Sequence, residues 1–323
     1  MTQKNLADLK TEYTANLADN DTGAISKAIT RIENDQHVPD SFFSELQENS
    51  SRSIRIGITG PPGSGKSTLT NELIETCLSR NKTVGVIAVD PTSPFTGGAL
   101  LGDRIRMNKY LWNDRVFIRS MGSHGDLGGL ARKAQEAGDV LAASGKDIIL
   151  YETIGVGQGE HDVAKAADLT VVILVPESGD EIQLMKAGLI EIADLFVINK
   201  SDRDGANRLA SLLKNILHNF TARGKIEPPV FNTVANQGQG IIELFMGIQD
   251  HLKLMEGKGM LDNRRLNRYR DRVSDLIRER LEDKFWTEEK RAFLNQATQT
   301  LNSIKSAPII MAQKLLDRQP DEF

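Results

Sequence analysis

From residue 54 onward, short apolar and β-branched runs alternate with longer stretches of helical spacing. The runs fall at 54–59, 83–89, 116–119, 147–151, 170–175, 195–198 and 229–233. This alternation predicts an α/β fold with a mostly parallel sheet flanked by helices. Before it, apolar residues recur at helical intervals at Leu6, Leu9, Tyr13 and Leu17, and again at Ile25, Ala28, Ile29 and Ile32 after a possible cap at Thr22. Residues 1–50 are therefore read as an N-terminal helical arm, with 35–53 a mixed connection into the first strand. After residue 256 the chain returns to helix. Over 262–285, Leu266, Tyr269, Val273, Leu276, Ile277 and Leu281 share one side and a dense Arg, Asp and Glu face lies opposite. A further helical unit runs to about Leu316. The expected division is an arm at 1–50, a sheet domain at 51–255 and a helical region at 256–323. The last region either packs on the sheet or pairs with a second copy; the second option is favoured here.

The first strand runs directly into Gly60, Pro61, Pro62, Gly63, Ser64, Gly65, Lys66, Ser67 and Thr68, and helical spacing follows at Leu69, Leu73, Cys77 and Leu78. This is the G-x-x-x-x-G-K-[ST] phosphate loop in its required strand-to-helix setting. The glycines let backbone N–H groups turn inward, and the helix N-terminus adds partial positive charge. Lys66 can reach the β- and γ-phosphates of a nucleotide, and Ser67 can ligate Mg²⁺.

In open parallel sheets, ligand-binding residues gather at the carboxyl ends of strands. Asp90 and Glu152 fall at two such ends and offer carboxylates to Mg²⁺, directly or through water. Asp103, within the Gly-rich stretch 97–104, is a third candidate. Asp90 before Pro91 can equally start a turn, and Asp103 can equally cap a helix. Lys66, Asp90, Asp103 and Glu152 form the candidate catalytic set. Glu152-Thr153-Ile154-Gly155 stands where many GTPases carry D-x-x-G, placing the Gly155 N–H near the γ-phosphate. Val156 follows and cannot orient water, so slow basal hydrolysis is expected, with Arg104, Arg106, Gln158 or a partner supplying what is missing. Asn199-Lys200-Ser201-Asp202 follows another strand. There Asp202 can accept from guanine N1–H and its exocyclic amine while Lys200 covers the ring, which selects GTP over ATP. Val234, Ala235 and Asn236 follow the last strand and can close on the guanine edge.

Composition narrows the classes. The chain has 323 residues, 26% of them charged, and a formal charge of −4, without the basic bias that nucleic acid or an anionic membrane would require. The single cysteine, Cys77, excludes an internal disulfide and is expected in the core. No basic flank with an apolar stretch opens the sequence, so the cytoplasm is the expected compartment. The five histidines, His37, His124, His161, His218 and His251, show no metal-ligand spacing and are read as surface or loop residues. The longest apolar runs are strand-sized, well below the ~18–20 residues of a membrane span.

Taken together, residues 60–68, Asp90-Pro91-Thr92-Ser93, the stretch 96–104, 152–158, Gly179-Asp180-Glu181 and 199–202 closely resemble the MeaB/ArgK family of GTPases associated with methylmalonyl-CoA mutase. The resemblance spans roughly 22–244. It implies a cytoplasmic homodimeric GTPase using GTP, GDP and Mg²⁺, with the terminal helices as dimer arms. Its partner would be an adenosylcobalamin-dependent acyl-CoA mutase, whose cofactor loading it gates and which it protects or reactivates. It also implies switch loops around 90–106 and 152–163 and a third around 178–186, whose polar positions Asp180, Gln183 and Lys186 would pass the nucleotide state to the mutase. His124, Asp126, His161, Asp162 and Val234 depart from the family pattern. Two alternatives share the phosphate loop. A nickel-insertion GTPase would need a Cys/His cluster, and a transport-linked ATPase or binding module would lack the guanine motif.

Overall fold

The computed structural model describes residues 17, 20–34, 40–49, 53–90, 108–110, 112–122, 129–153, 159–178, 188–221 and 226–317. Among the described residues, helices α1 (Thr22–Glu33) and α2 (Asp40–Asn49) precede strand β1 (Ile54–Thr59) and helix α3 (Lys66–Ser79). Then come β2 (Val84–Asp90), β3 (Val116–Gly122), α4 (Gly129–Ala143), β4 (Ile148–Thr153), α5 (Gly159–Ala166) and β5 (Leu169–Leu174). The sheet is completed by α6 (Leu189–Ile192), β6 (Leu195–Ile198), α7 (Ala206–Thr221) and β7 (Val230–Asn232), and α8 (Ile241–Gly257) follows. The seven strands among the described residues are parallel, in the order β3-β2-β4-β1-β5-β6-β7. The strand order reverses about β1, so the loop after β1 opens at the switch point where α/β sheets take ligands.

Side-chain alternation divides the sheet between two helical layers. Ile56 and Ile58 of β1, Val84 and Val86 of β2 and Val171 and Ile173 of β5 pack with Leu69, Leu73 and Cys77 of α3 and with Leu244, Phe245 and Ile248 of α8. Ile87, Phe117, Met121, Ile149 and Tyr151 face the other way, toward α4 and the N-terminal helices. A third cluster joins Val172, Leu174, Phe196 and Ile198 to Leu209, Leu213 and Leu217 of α7. Each fully buried aliphatic side chain contributes about 1.5–3 kcal/mol, so α3 is held mainly by the face that carries Leu69, Leu73 and Ile74.

The structure revises several sequence-based expectations. The stretch 35–53 contains helix α2, because Phe42 and Leu46, one turn apart, are both buried. The cap of α1 is Asp21 rather than Thr22: the Asp21 carboxylate accepts from Ala24 N at 2.6 Å. The N-terminal helices are not set apart from the sheet. Ile25, Ala28, Ile29, Ile32, Phe42 and Leu46 lie in the same apolar cluster as Ile87 and Tyr151. Arg119 on β3 also pairs with Glu33, and Lys133 donates to Glu33 O at 2.7 Å. The chain divides into compact units at 1–264 and 265–323, nine residues later than the 255/256 boundary read from sequence. His251 is buried in α8, and burial holds its imidazole pKa below the usual value. Cys77 is in the core as expected, with burial pushing its thiol up to about 12.

In the C-terminal unit, helix α9 (Met260–Phe285, which begins at the end of the first unit) is followed by α10 (Glu288–Ala297) and α11 (Pro308–Asp317). Thr287 caps α10 by accepting from Lys290 N at 3.3 Å, and Lys290 Nζ lies 4.0 Å from the centre of the Phe285 ring. Leu266, Tyr269, Val273, Ile277 and Leu281 form the predicted stripe along α9 and are exposed. Among the described residues, no helix is long and apolar enough to cross a membrane.

Candidate nucleotide site

The phosphate loop leaves β1 at Thr59 and enters α3 at Lys66. Two glycines are fixed by geometry. Gly60 has φ +142°, and a Cβ there would lie 2.1 Å from the Ile173 carbonyl oxygen on β5. Gly65, at φ +90°, is the N-cap of α3 and offers no side chain to the first-turn N–H groups, which leaves them to an anion. Ser64 is fully buried and Lys66 and Ser67 nearly so, while Pro62, Gly63 and Thr68 are exposed. Lys66 Nζ donates to Gly60 O at 2.8 Å and to Pro61 O at 3.0 Å, which stations the ammonium within the curve of its own loop.

Glu152 lies inside β4, one residue before its end, rather than just past the strand. Its Cα is in register with Ile58 of β1 and Ala88 of β2, between the phosphate loop and the end of β2. Ser67 Oγ donates to Glu152 Oε1 at 2.6 Å, with both residues buried. A hydroxyl and a carboxylate oxygen converge here at the head of α3, a hard-oxygen donor set that suits Mg²⁺. One strand position beyond, Thr153 Oγ1 donates to Thr59 Oγ1 at 3.0 Å, joining the ends of β4 and β1 below the loop. Asp90 ends β2 opposite Gly122 of β3, so its backbone stands at the same carboxyl edge.

The guanine motif reaches the loop through Asn199, which is 3% exposed. Its Nδ2 donates to Ser64 O at 2.8 Å, while its Oδ1 accepts from Thr233 Oγ1 and from Ala235 N, each at 3.1 Å. One amide thus holds the phosphate loop, the turn after β6 and the turn after β7 together. The glycine at 65 is required for a second reason, since a Cβ there would meet Asn199 Nδ2 at 2.3 Å. Lys200 adopts φ +55° and donates from Nζ to Gly63 O at 2.8 Å, laying its stem across the loop's outer side. Asp202 is exposed in the turn that follows. Val234 and Ala235 are buried and Asn236 exposed, at the start of the short helical turn Ala235–Gln237.

The expected residues 60–68, 152, 199, 200 and 235 therefore assemble in one place, with Asp90, Asp202, Val234 and Asn236 at its edge. Asp103, Gly155, Asp180, Gln183 and Lys186 lie outside the described residues, as do Arg104, Arg106 and Gln158. Sequence reasoning gave Asn199 a place in the guanine motif but missed its role as a clamp. The turn after β7 also contributes the Thr233 hydroxyl, one residue before the stretch 234–236 expected at the guanine edge. The Thr59–Thr153 pair has no motif of its own, and only its position at two strand ends in a parallel sheet could have suggested it.

A family model described as the methylmalonyl Co-A mutase-associated GTPase MeaB matches residues 25–290. The chain belongs to the MeaB family. A protein of Pyrococcus horikoshii that carries a GTPase name is 43% identical over 269 residues, covering 82% of this chain and 85% of the relative. The GTPase ArgK of Escherichia coli is 34% identical over 253 residues, covering 76% of each chain. The crystal structure of an LAO/AO transport system kinase shares the fold, with a TM-score of 0.69 and 23% identity over 98% of both chains. With the phosphate loop and the clamped guanine motif in one site, this member of the MeaB family is a P-loop GTPase that binds guanine nucleotides and hydrolyses GTP.

Proposed function

We propose that this chain is a cytoplasmic GTP-timed chaperone for an adenosylcobalamin-dependent acyl-CoA mutase of the methylmalonyl type. It gates cofactor loading and protects or reactivates the mutase, and GTP hydrolysis acts as the timer. The observation that carries this reading is the family match over 25–290, whose description associates the family with methylmalonyl-CoA mutase. The site supports it, because a phosphate loop tied through Asn199 to the guanine motif suits a switch that must hold its nucleotide firmly between events.

Within this reading, Ser67 and Glu152 hold Mg²⁺, joined by Asp90 and Asp103 directly or through water, and Mg²⁺ when bound neutralises charge on the β- and γ-phosphates. Lys66 binds the same phosphates, Gly155 meets the γ-phosphate, Asp202 reads guanine, and Val234, Ala235 and Asn236 close on its edge. Val156 leaves the attacking water without an orienting side chain, so basal turnover is slow and the partner accelerates it. Asp180, Gln183 and Lys186 transmit the nucleotide state. The exposed stripe on α9 pairs with a second copy to form a homodimer, since five large apolar side chains along one helix face favour burial. The deciding experiment is affinity capture of the full-length chain with GTP or GDP, followed by GTP turnover with the captured partner. The expected result is a cobalamin-binding acyl-CoA mutase that raises turnover at least tenfold; recovery of only metal-enzyme maturation factors overturns the assignment.

A further inference from the structure

Strand β1 has to leave the sheet at its carboxyl end to form the phosphate loop. Its backbone pairing with β4 accordingly ends at Ile58 and Glu152. On their outer sides the same two strands stay paired one position further, Thr59 with Val172 of β5 and Thr153 with Val89 of β2. Between Thr59 and Thr153 the seam is closed by side chains instead: the Thr153 hydroxyl donates to the Thr59 hydroxyl at 3.0 Å, and both residues are buried. Both side chains are β-branched and stiff at χ1, so a hydrogen bond between them also fixes the separation of the two backbones. Successive side chains on a strand point to opposite faces. Glu152 meets Ser67 on the face that carries Leu150, and the threonine pair stands on the face that carries Tyr151.

We propose that Thr59 and Thr153 are positioning residues for Mg²⁺, a role that depends on Ser67 and Glu152 holding the ion, as proposed above. Ser67 follows β1 through the loop, eight residues after Thr59, and Glu152 immediately precedes Thr153 on β4. The spacing of the two oxygen donors therefore depends on how closely β1 and β4 are held at this seam. Mg²⁺ takes its ligands at about 2.0–2.1 Å in near-ideal octahedral geometry, so a small parting of the strands weakens binding without removing a ligand. Neither threonine is on the ligand face. Each acts through the backbone beside it.

The test uses the full-length chain loaded with a non-hydrolysable GTP analogue and Mn²⁺ as the probe, with free and bound Mn²⁺ measured by electron paramagnetic resonance. Thr153→Val keeps the shape and removes the donor, and Thr59→Val removes the acceptor. Each is expected to weaken Mn²⁺ binding about 3- to 10-fold, while affinity for a fluorescent GDP analogue in chelator stays within about twofold of the parent and thermal unfolding stays cooperative. Thr153→Ser keeps the hydroxyl and should restore Mn²⁺ binding to within about twofold. The double variant should bind Mn²⁺ no more weakly than either single one, because the same bond is lost in all three. Unchanged Mn²⁺ binding in both single variants overturns the proposal, and so does a loss in the double variant equal to the product of the single losses. Glu152→Gln, measured alongside, separates the two levels. Weaker Mn²⁺ binding there with the threonine variants unchanged sinks the positioning role alone, whereas unchanged binding in Glu152→Gln removes the metal assignment and the positioning role with it.

Discussion

Asn199 Nδ2 donates to Ser64 O at 2.8 Å across 135 residues of sequence, joining the guanine motif to the phosphate loop. Removing this amide leaves Ser64 O, Thr233 Oγ1 and Ala235 N in a buried space without their shared partner. An unmet buried polar group costs about 1–3 kcal/mol. Asn199→Ala is therefore expected to lower GDP affinity at least 100-fold, read by displacement of a fluorescent analogue, and to lower the thermal midpoint of the nucleotide-free protein as well. Loss of affinity with the midpoint unchanged would mean that the clamp forms only around bound nucleotide.

Gly65→Ala attacks the same contact from the loop side. The substitution combines φ +90° with a Cβ 2.3 Å from Asn199 Nδ2, so the loop and the clamp cannot both keep their positions. Nucleotide binding should be abolished in a protein that still unfolds cooperatively. Gly60→Ala is expected to be worse, because its Cβ meets the β5 backbone, with a stability loss of about 3 kcal/mol or more in denaturant titration.

The Ser67–Glu152 hydrogen bond predicts how the metal requirement changes. Glu152→Gln keeps an oxygen for Ser67 but removes the negative charge. GTP turnover should then need at least tenfold more Mg²⁺ for half-maximal rate, while GDP binding measured in chelator stays within about twofold of the parent. Equal Mg²⁺ dependence in both proteins would remove Glu152 from the metal site.

Base choice should turn on Asp202, which is exposed in the turn after Lys200 and available to a ligand. Asp202→Asn reverses one hydrogen-bonding partner, so GTP affinity should fall by roughly 10²-fold or more and xanthosine triphosphate should become the better substrate. Competition between the two nucleotides in single-turnover hydrolysis measures the switch.

Lys146 offers a test away from the site. It is 2% exposed, its ammonium has a carbonyl partner in Asp114 O at 3.3 Å, and burial lowers its pKa to about 8. Because the folded-state value lies below the unfolded one, the unfolded chain binds more protons between about pH 8 and 10.5, and this residue makes stability rise with pH across that window. Lys146→Met should stabilise the protein at pH 7 by roughly 2 kcal/mol and flatten the slope above pH 8 in chemical denaturation. An unchanged slope would mean that the ammonium remains hydrated in the fold.

The sheet and the phosphate loop were legible in the sequence because their signals are local. Strands 54–59 and 195–198 match their predicted bounds: Leu195-Phe196-Val197-Ile198 is a continuous apolar run, as in a strand buried on both faces, and Ile54, Ile56 and Ile58 alternate into the phosphate loop. A glycine-rich turn entering a helix specifies its own conformation within ten residues. By contrast, helix α2 was missed because only Phe42 and Leu46 mark its buried side in a polar stretch.

The sequence by itself determined which chemistry the protein carries: a triphosphate cradle, a guanine reader and the strand-helix alternation that displays both at strand ends. Only the tertiary structure decided how these parts act on one another. It brought Asn199 to Ser64, set Ser67 against Glu152 and folded the N-terminal helices into the core with Ile87 and Tyr151. The reason is physical. Backbone conformation and burial repeat at short, readable periods, whereas a hydrogen bond between side chains on separate crossovers depends on how parallel strands order themselves around the switch point, and the residues flanking either partner carry no record of that order.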